Sequence, residues 1–295
     1  MASVNPLDLT DAQGYEGLES LVSETDKLVS LPDIYYRLEE AIVDPGSTAD
    51  SVAMLLQSDP DLCARMLRIA NSAFYSFPTR IETVQRAVNV IGLRQIRDLV
   101  LATSVVRAFD GIPTEMVNMT TFWEHSIAVG VMARNLGKQA RLANAESYYV
   151  PGLLHDVGRL VMYLKLPGLM RDLLQRRGTT ESSMFSQERQ MLGYTHAEIG
   201  SRLLESWRLP QSIWEPVANH HYPTGSGDHM LTACAIHAAD AWVNTNRAGS
   251  TGSCFLLEMD PEALPSLGIA NQDIHQTGLD SAEQTQDIVR QFLNH

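Results

Sequence analysis

The chain of 295 residues is poor in cysteine: Cys63, Cys234 and Cys254 are all it has, and no CxxC pair occurs. An odd, widely spaced set gives no disulfide framework and no cysteine-rich zinc site. What remains is isolated thiols in a reducing compartment. Long apolar runs are also missing. No stretch of about 18 apolar residues occurs, so no membrane-spanning helix is expected. Basic residues are few, 22 Lys and Arg against 35 Asp and Glu, for a net charge of −13. An acidic surface without a basic stripe repels phosphate backbones and anionic bilayers, so neither nucleic acid nor membrane is expected as a partner. Met1 to Glu19 carries no Lys or Arg. A secretory signal or basic transit peptide is therefore not expected, and a cytoplasmic location is. The motifs GxxxxGK[ST], GxGxxG, GxSxG and HExxH are absent. Phosphate-loop, dinucleotide, hydrolase-elbow and zincin chemistries have no support. No clean two-residue alternation extends over six residues, so strands are scarce.

Helical periodicity fills the space those absences leave. Hydrophobic residues make up 44% of the chain, enough for a large core. Met1 to Tyr15 is polar and unpatterned, and a flexible tail is expected over residues 1–20. Ile34, Leu38, Ala41 and Ile42 mark one helix face ending at Pro45-Gly46. Ser47, three before Asp50, is a capping signal for the next helix. Asp59-Pro60 reads as an N-cap followed by Pro at the first helical position. Leu62, Met66, Leu67 and Ile69 continue that helix with an apolar face. Val84, Val88 and Ile91 form another, which Gly92 would close with a left-handed cap. Its neighbour, 47–70, looks like a helix-turn-helix but lacks a basic recognition face, so it reads as core. Asp110-Gly111-Ile112-Pro113 breaks the pattern. The expected fold is all-α, with a first helical lobe over 21–109, a second over 110–259, and a C-terminal extension of short helices over 260–295. One continuous helical segment is expected from Ala145 to Leu164. Gly225 to Gly227 and Gly249 to Gly252 read as loops.

Seven of the nine histidines lie between residues 125 and 237. His155-Asp156 follows the apolar run Val150 to Leu154. His125 sits on the preceding amphipathic helix. His196 opens a helix, His220-His221 ends one, and Asp240 sits on a later one. Imidazole with carboxylate is a ligand set for Fe, Mn, Ni or Zn, and helical bundles build metal sites from such residues on facing helices. A buried Asp156 needs a cation or several donors. One or two ions are expected, with Asp156 between them if there are two. Structural roles stay open for each: a core or rim histidine at 125, a capping ion pair at 155–156, a helix start at 196, a dipole-facing pair at 220–221, a surface carboxylate at 240. His229, His237, His275 and His295 read as background.

The residues carry a resemblance. Leu31-Pro32, Asp59-Pro60, the run Leu67 to Ala73, Ala87-Val88, Ile91 to Arg94 and Ile96-Arg97 resemble the first lobe of the HDOD domain. Leu153 to Gly158, His196 to Gly200, Trp207 to Pro210 and His220-His221 resemble its second lobe. The resemblance implies an all-helical signalling output or scaffold module, related to the HD phosphohydrolases and often found beside receiver, kinase or cyclic di-GMP domains. The segment His155 to Arg159 is similar to the HD-[IV]-G-[KR] segment of the HD-GYP phosphodiesterases, and His196, His220-His221 and Asp240 resemble their next histidine, their HH pair and their closing aspartate. Two departures stand out. Tyr222 to Gly225 replaces their Glu and DGxGYP loop, and Thr121 replaces their Glu one turn before His125. The resemblance therefore implies a regulatory module acting on a signalling protein partner, with a retained metal site. The alternative it leaves is a metal-dependent phosphohydrolase of nucleotides or cyclic dinucleotides, with Arg159 steadying a phosphate.

Overall fold

The computed structural model describes residues 12–109, 117–175, 181–246 and 259–293, and among them there is no strand. The breaks expected at residues 110–113 and 249–252, together with Cys254 and His295, lie outside the described residues. The helices are α1 (Ala12–Asp26), α2 (Asp33–Val43), α3 (Ala49–Leu56), α4 (Pro60–Ala70), α5 (Val84–Ile91) and α6 (Leu93–Ala108). Then follow α7 (Met119–Gln139), a 3₁₀ turn (Ala145–Tyr148), α8 (Tyr149–Leu154), α9 (Val157–Lys165), α10 (Pro167–Gln175), α11 (Glu181–Leu192) and α12 (His196–Ser206). The chain ends with α13 (Gln211–Asn219), α14 (Met230–Asn246), α15 (Ala263–Ser266) and α16 (Ile274–Leu293).

Local chemistry sets the boundaries. The Asp59 carboxylate accepts the amide of Leu62 at 2.9 Å, with Pro60 at the first helical position. The cap of α3 is Thr48 rather than Ser47, because Thr48 and Ser51 exchange hydrogen bonds in a capping box. Gly92 does have positive φ, 93°, but ψ is 154°, so it is an extended joint between α5 and α6 and not a left-handed cap. On α4, Leu62, Met66 and Ile69 are buried, while Leu67 is only half-buried at the rim.

One apolar core runs from Leu18 to Phe292 through both lobes. A smaller core joins another face of α7 to α14, α15 and the start of α16. Arg134 of α7 reaches across: it donates to the carbonyl of Phe74 at 3.0 Å and pairs with Glu146. Three expectations are corrected. The flexible tail does not reach residue 20, since α1 starts at Ala12 and buries Leu18, Leu21 and Val22. It packs on α12 and α9, and Glu24 lies 3.4 Å from Lys165 of α9, so this helix touches the second lobe. The extension is mostly one long helix, α16, which packs on α7 and α4; Asp287 accepts the amide of Ala73 at 2.6 Å. The third concerns residues 145–164, where the helix breaks at His155-Asp156.

Two glycine crossings position the functional residues. Gly130 of α7 meets Gly152 of α8 so closely that a Cβ on Gly152 would lie 2.8 Å from the Gly130 Cα. Gly158 of α9 crosses Gly200 of α12, and a Cβ there would lie 1.9 Å from the carbonyl oxygen of His196. Only a residue without a Cβ permits such backbone contact. The first crossing brings His125 to His155; the second brings Asp156 to His196.

Candidate metal centre

His155 and Asp156 occupy the joint between α8 and α9 instead of adjacent positions within one helix. This lets both side chains face the same cavity. The Nδ1 of His155 donates to the carbonyl of Gly152 at 2.8 Å. At the end of α13, the Nδ1 of His220 donates likewise to the carbonyl of Val217 at 2.7 Å. Each ring is held by the carbonyl three residues earlier. That leaves a bare Nε2 lone pair on each, and both atoms are buried without a hydrogen bond.

Around them the seven residues singled out in the sequence come together. The Nε2 of His125 lies 3.1 Å from Asp240 Oδ1, and that of His155 lies 3.7 Å from the same oxygen. The two oxygens of Asp156 diverge: Oδ2 is 3.5 Å from His155 Nε2, and Oδ1 is 3.3 Å from His196 Nε2. His196 Nε2 is in turn 2.9 Å from His221 Nε2. The rings of His155 and His220 are 5.2 Å apart, centre to centre. Two triads result, His125–His155–Asp156 and His196–His220–His221, each with donor atoms within 4.8 Å of one another. Asp156 stands between them.

The cluster is buried and charged. Exposure of these ligand types runs from 0% at His155, His196 and His220 to 8% at His125 and His221. Burial pushes His155 down, His220 down to about 3, and His221 well down, so these imidazoles are neutral near pH 7 and available as ligands. Burial alone would raise the carboxyls of Asp156 and Asp240. The Arg159 guanidinium and the histidines outweigh it at Asp156, and His125 outweighs it at Asp240, which falls to about 2. Arg159 Nε lies 3.2 Å from Asp156 Oδ1 and so holds the shared carboxylate in place.

Sequence reasoning missed Glu188. It is fully buried on α11, and its Oε2 lies 2.6 Å from His196 Nδ1 and 2.9 Å from the His196 amide. A lone Glu on an amphipathic helix carries no signal of such a role. With it, three buried carboxylates (Asp156, Glu188, Asp240) face one guanidinium. The imbalance requires further positive charge in the cavity, as bound protons or metal ions. His237, read as background, is structural: its Nδ1 donates to the His220 carbonyl at 2.8 Å and its Nε2 accepts the Asp260 amide at 2.8 Å. The triads fit a metal centre on the strength of the bare, buried Nε2 atoms.

Comparison with known proteins agrees with this architecture. A family model of the HDOD domain matches residues 28–223. A relative from Treponema pallidum, itself uncharacterised, is 25% identical over 206 residues, or 68% of this chain. The chain spans only 39% of that protein's length. The crystal structure of a presumed phosphohydrolase from Shewanella amazonensis has a TM-score of 0.72 at 22% identity, over 92% of this chain and 98% of that one. That of a presumed signal transduction protein from Marinobacter aquaeolei has a TM-score of 0.71 at 20% identity, over 97% of this chain and 67% of that one. At such identities the two structures speak for the fold alone. Among the described residues no helix is long and apolar enough to cross a membrane.

Proposed function

The chain belongs to the HDOD domain family, and we propose that it is a bacterial, cytoplasmic signal-transduction module that acts on a protein partner while its second lobe holds one or two transition-metal ions. The observation that carries the metal reading is the pair of buried Nε2 atoms on His155 and His220 that make no hydrogen bond. Their Nδ1 atoms are tied to backbone carbonyls, the arrangement that presets imidazole as a ligand. His125, His155, Asp156 and Asp240 would hold one ion; His196, His220 and His221 would hold the other, with Asp156 shared. Mixed nitrogen and oxygen donors suit Fe, Mn, Ni or Zn better than Ca or Mg. When bound, such ions supply Lewis acidity and an acidified water. The regulatory reading rests on closure, since every ligand is at most 8% exposed. A nucleotide-sized substrate does not reach donors so deeply covered unless the helices part. The ligands come from α7, the α8–α9 joint, α12, α13 and α14, so a bound ion would cross-link the second lobe and stiffen the surface a partner meets.

A second reading, a metal-dependent phosphohydrolase of nucleotides or cyclic dinucleotides, is favoured by Arg159. Its guanidinium sits beside the shared carboxylate, where it could also engage a phosphoryl oxygen. One experiment separates the two. Protein purified without chelator is analysed for metals and assayed with bis(p-nitrophenyl) phosphate and cyclic dinucleotides. At least one equivalent of metal without turnover supports the module. Turnover abolished by Asp156→Asn supports the enzyme. Less than about a tenth of an equivalent of any transition metal refutes the metal reading.

A further inference from the structure

The three ligand histidines whose Nδ1 partners are known divide by how their tautomer is locked. His155 and His220 use the carbonyl three residues earlier, in the helix turn that precedes each. His196 has no such carbonyl. It is the first residue of α12, after the cap Thr195, and no helical turn precedes it. Its lock comes from another element. Glu188 of α11 accepts both the His196 amide, at 2.9 Å, and the Nδ1 proton, at 2.6 Å, on one oxygen. Two bonds to one residue fix the ring's position as well as its tautomer. One turn earlier on the same face of α11, Phe185 lies against a second member of that triad, with its ring 4.6 Å from that of His221 and 6.2 Å from that of His196.

We propose that Glu188 is a positioning residue for one half of the metal centre: through His196 it sets the affinity of the His196–His220–His221 half and leaves the His125–His155–Asp240 half alone. This rests on the metal reading above. A carboxylate partner makes an imidazole a more basic ligand than a carbonyl partner does, so the two halves differ in strength by construction. Phe185 backs His221 against the same half, which makes α11 the element that registers it.

The test is a titration of chelator-stripped full-length protein with Co²⁺, read by calorimetry and by visible absorption of the bound ion. Wild type is expected to take up two equivalents, and a wild type that takes up only one would overturn the proposal of two unequal halves. In Glu188→Gln one equivalent keeps its affinity and the other weakens about 10–100-fold, with a changed Co²⁺ spectrum. Glu188→Ala, which cannot accept either bond, weakens it further, so the amide partly rescues the site. The stripped Glu188→Gln protein should melt within about 2 °C of wild type, a shift too small to reflect general unfolding. Both equivalents binding within twofold of wild type in Glu188→Gln would overturn the proposal. So would loss of both together with a lowered melting temperature, the mark of general support. If wild type takes up no Co²⁺, it is the metal reading that fails.

Discussion

Replacing Gly158 by alanine adds one methyl group at the point where α9 crosses α12. That Cβ would lie 1.9 Å from the His196 carbonyl oxygen and 2.7 Å from the Gly200 amide nitrogen. Neither contact is with the end of a flexible side chain, so the backbones themselves must part. Reaching even 3.0 Å requires about 1.1 Å of separation at a packed helix crossing. Overpacking of this kind costs about 1–3 kcal/mol, and a backbone clash belongs at the upper end. At about 2–4 °C per kcal/mol, melting should fall by roughly 6–12 °C. The same movement opens the gap of 3.3 Å between Asp156 Oδ1 and His196 Nε2. Ligand bonds of about 2.0–2.2 Å let one ion hold two donors about 4.4 Å apart only when they face each other in a straight line, so the widened gap leaves no room for tetrahedral ligand angles. Gly158→Ala should therefore lose metal as well as stability. Thermal unfolding by circular dichroism, with elemental analysis of the same samples, reads both. Gly168→Ala on α10 is the control, since a Cβ there meets nothing within 4 Å. It should be neutral or slightly stabilising, as helical Gly→Ala usually is. A Gly158→Ala protein that melts within about 2 °C of the parent and keeps its metal would refute the crossing as the device that builds the site.

Other outcomes follow from the same geometry. His155→Ala with Asp156→Ala should strip all metal, because Asp156 touches both triads; elemental analysis that finds an equivalent retained would contradict this. Metal-free protein should lose stability as pH falls below the ordinary histidine value of 6.5. The unfolded chain takes up protons there while the buried His155, His220 and His221, with lowered pKa values, do not. Each such histidine contributes up to about 1.4 kcal/mol per pH unit, so unfolding free energies from urea titrations at pH 7.5 and 5.5 should differ by about 2–4 kcal/mol; equal free energies would rule it out. Ile69→Ala, at 1% exposure, should cost about 2–5 kcal/mol, and half-buried Leu67→Ala clearly less; the reverse order in denaturant melts would misplace the α4 face. Duplex DNA should bind no tighter than about 1 µM at 150 mM salt, as the net charge of −13 implies, and a sub-micromolar gel shift would contradict it.

Much of the fold was legible in the chain because helix signals are local. The apolar stripes of α4 and α5, the Asp59-Pro60 start and the helix ends at His196 and His220 depend on neighbours within about four residues. The misreadings are places where distant parts intervene. α1 looked like a tail because its polar start hides Leu18, Leu21 and Val22, which are apolar only towards α12 and α9. The 145–164 segment is largely apolar on either side of His155-Asp156, so periodicity alone could not show that it breaks there. α16 read as short helices because its helical continuity is secured by packing on α7 and α4.

The site divides along the same line. Residue type and spacing by themselves determined which side chains could ligate a metal: His125, His155, Asp156, His196, His220, His221 and Asp240 are donors wherever they fold, and an acidic chain without phosphate-loop motifs offers few rival chemistries. Only the tertiary structure decided that they share one buried cluster, that Asp156 turns one oxygen to each triad, and that Arg159 is engaged with that carboxylate. It also decided the role of Glu188, eight residues from His196 and on a different helix. The reason is physical. Helix formation is settled by contacts a turn apart, whereas ligand geometry to within an ångström depends on how closely two backbones approach. That distance is set where Gly158 meets Gly200 and Gly130 meets Gly152, between elements that periodicity describes only one at a time.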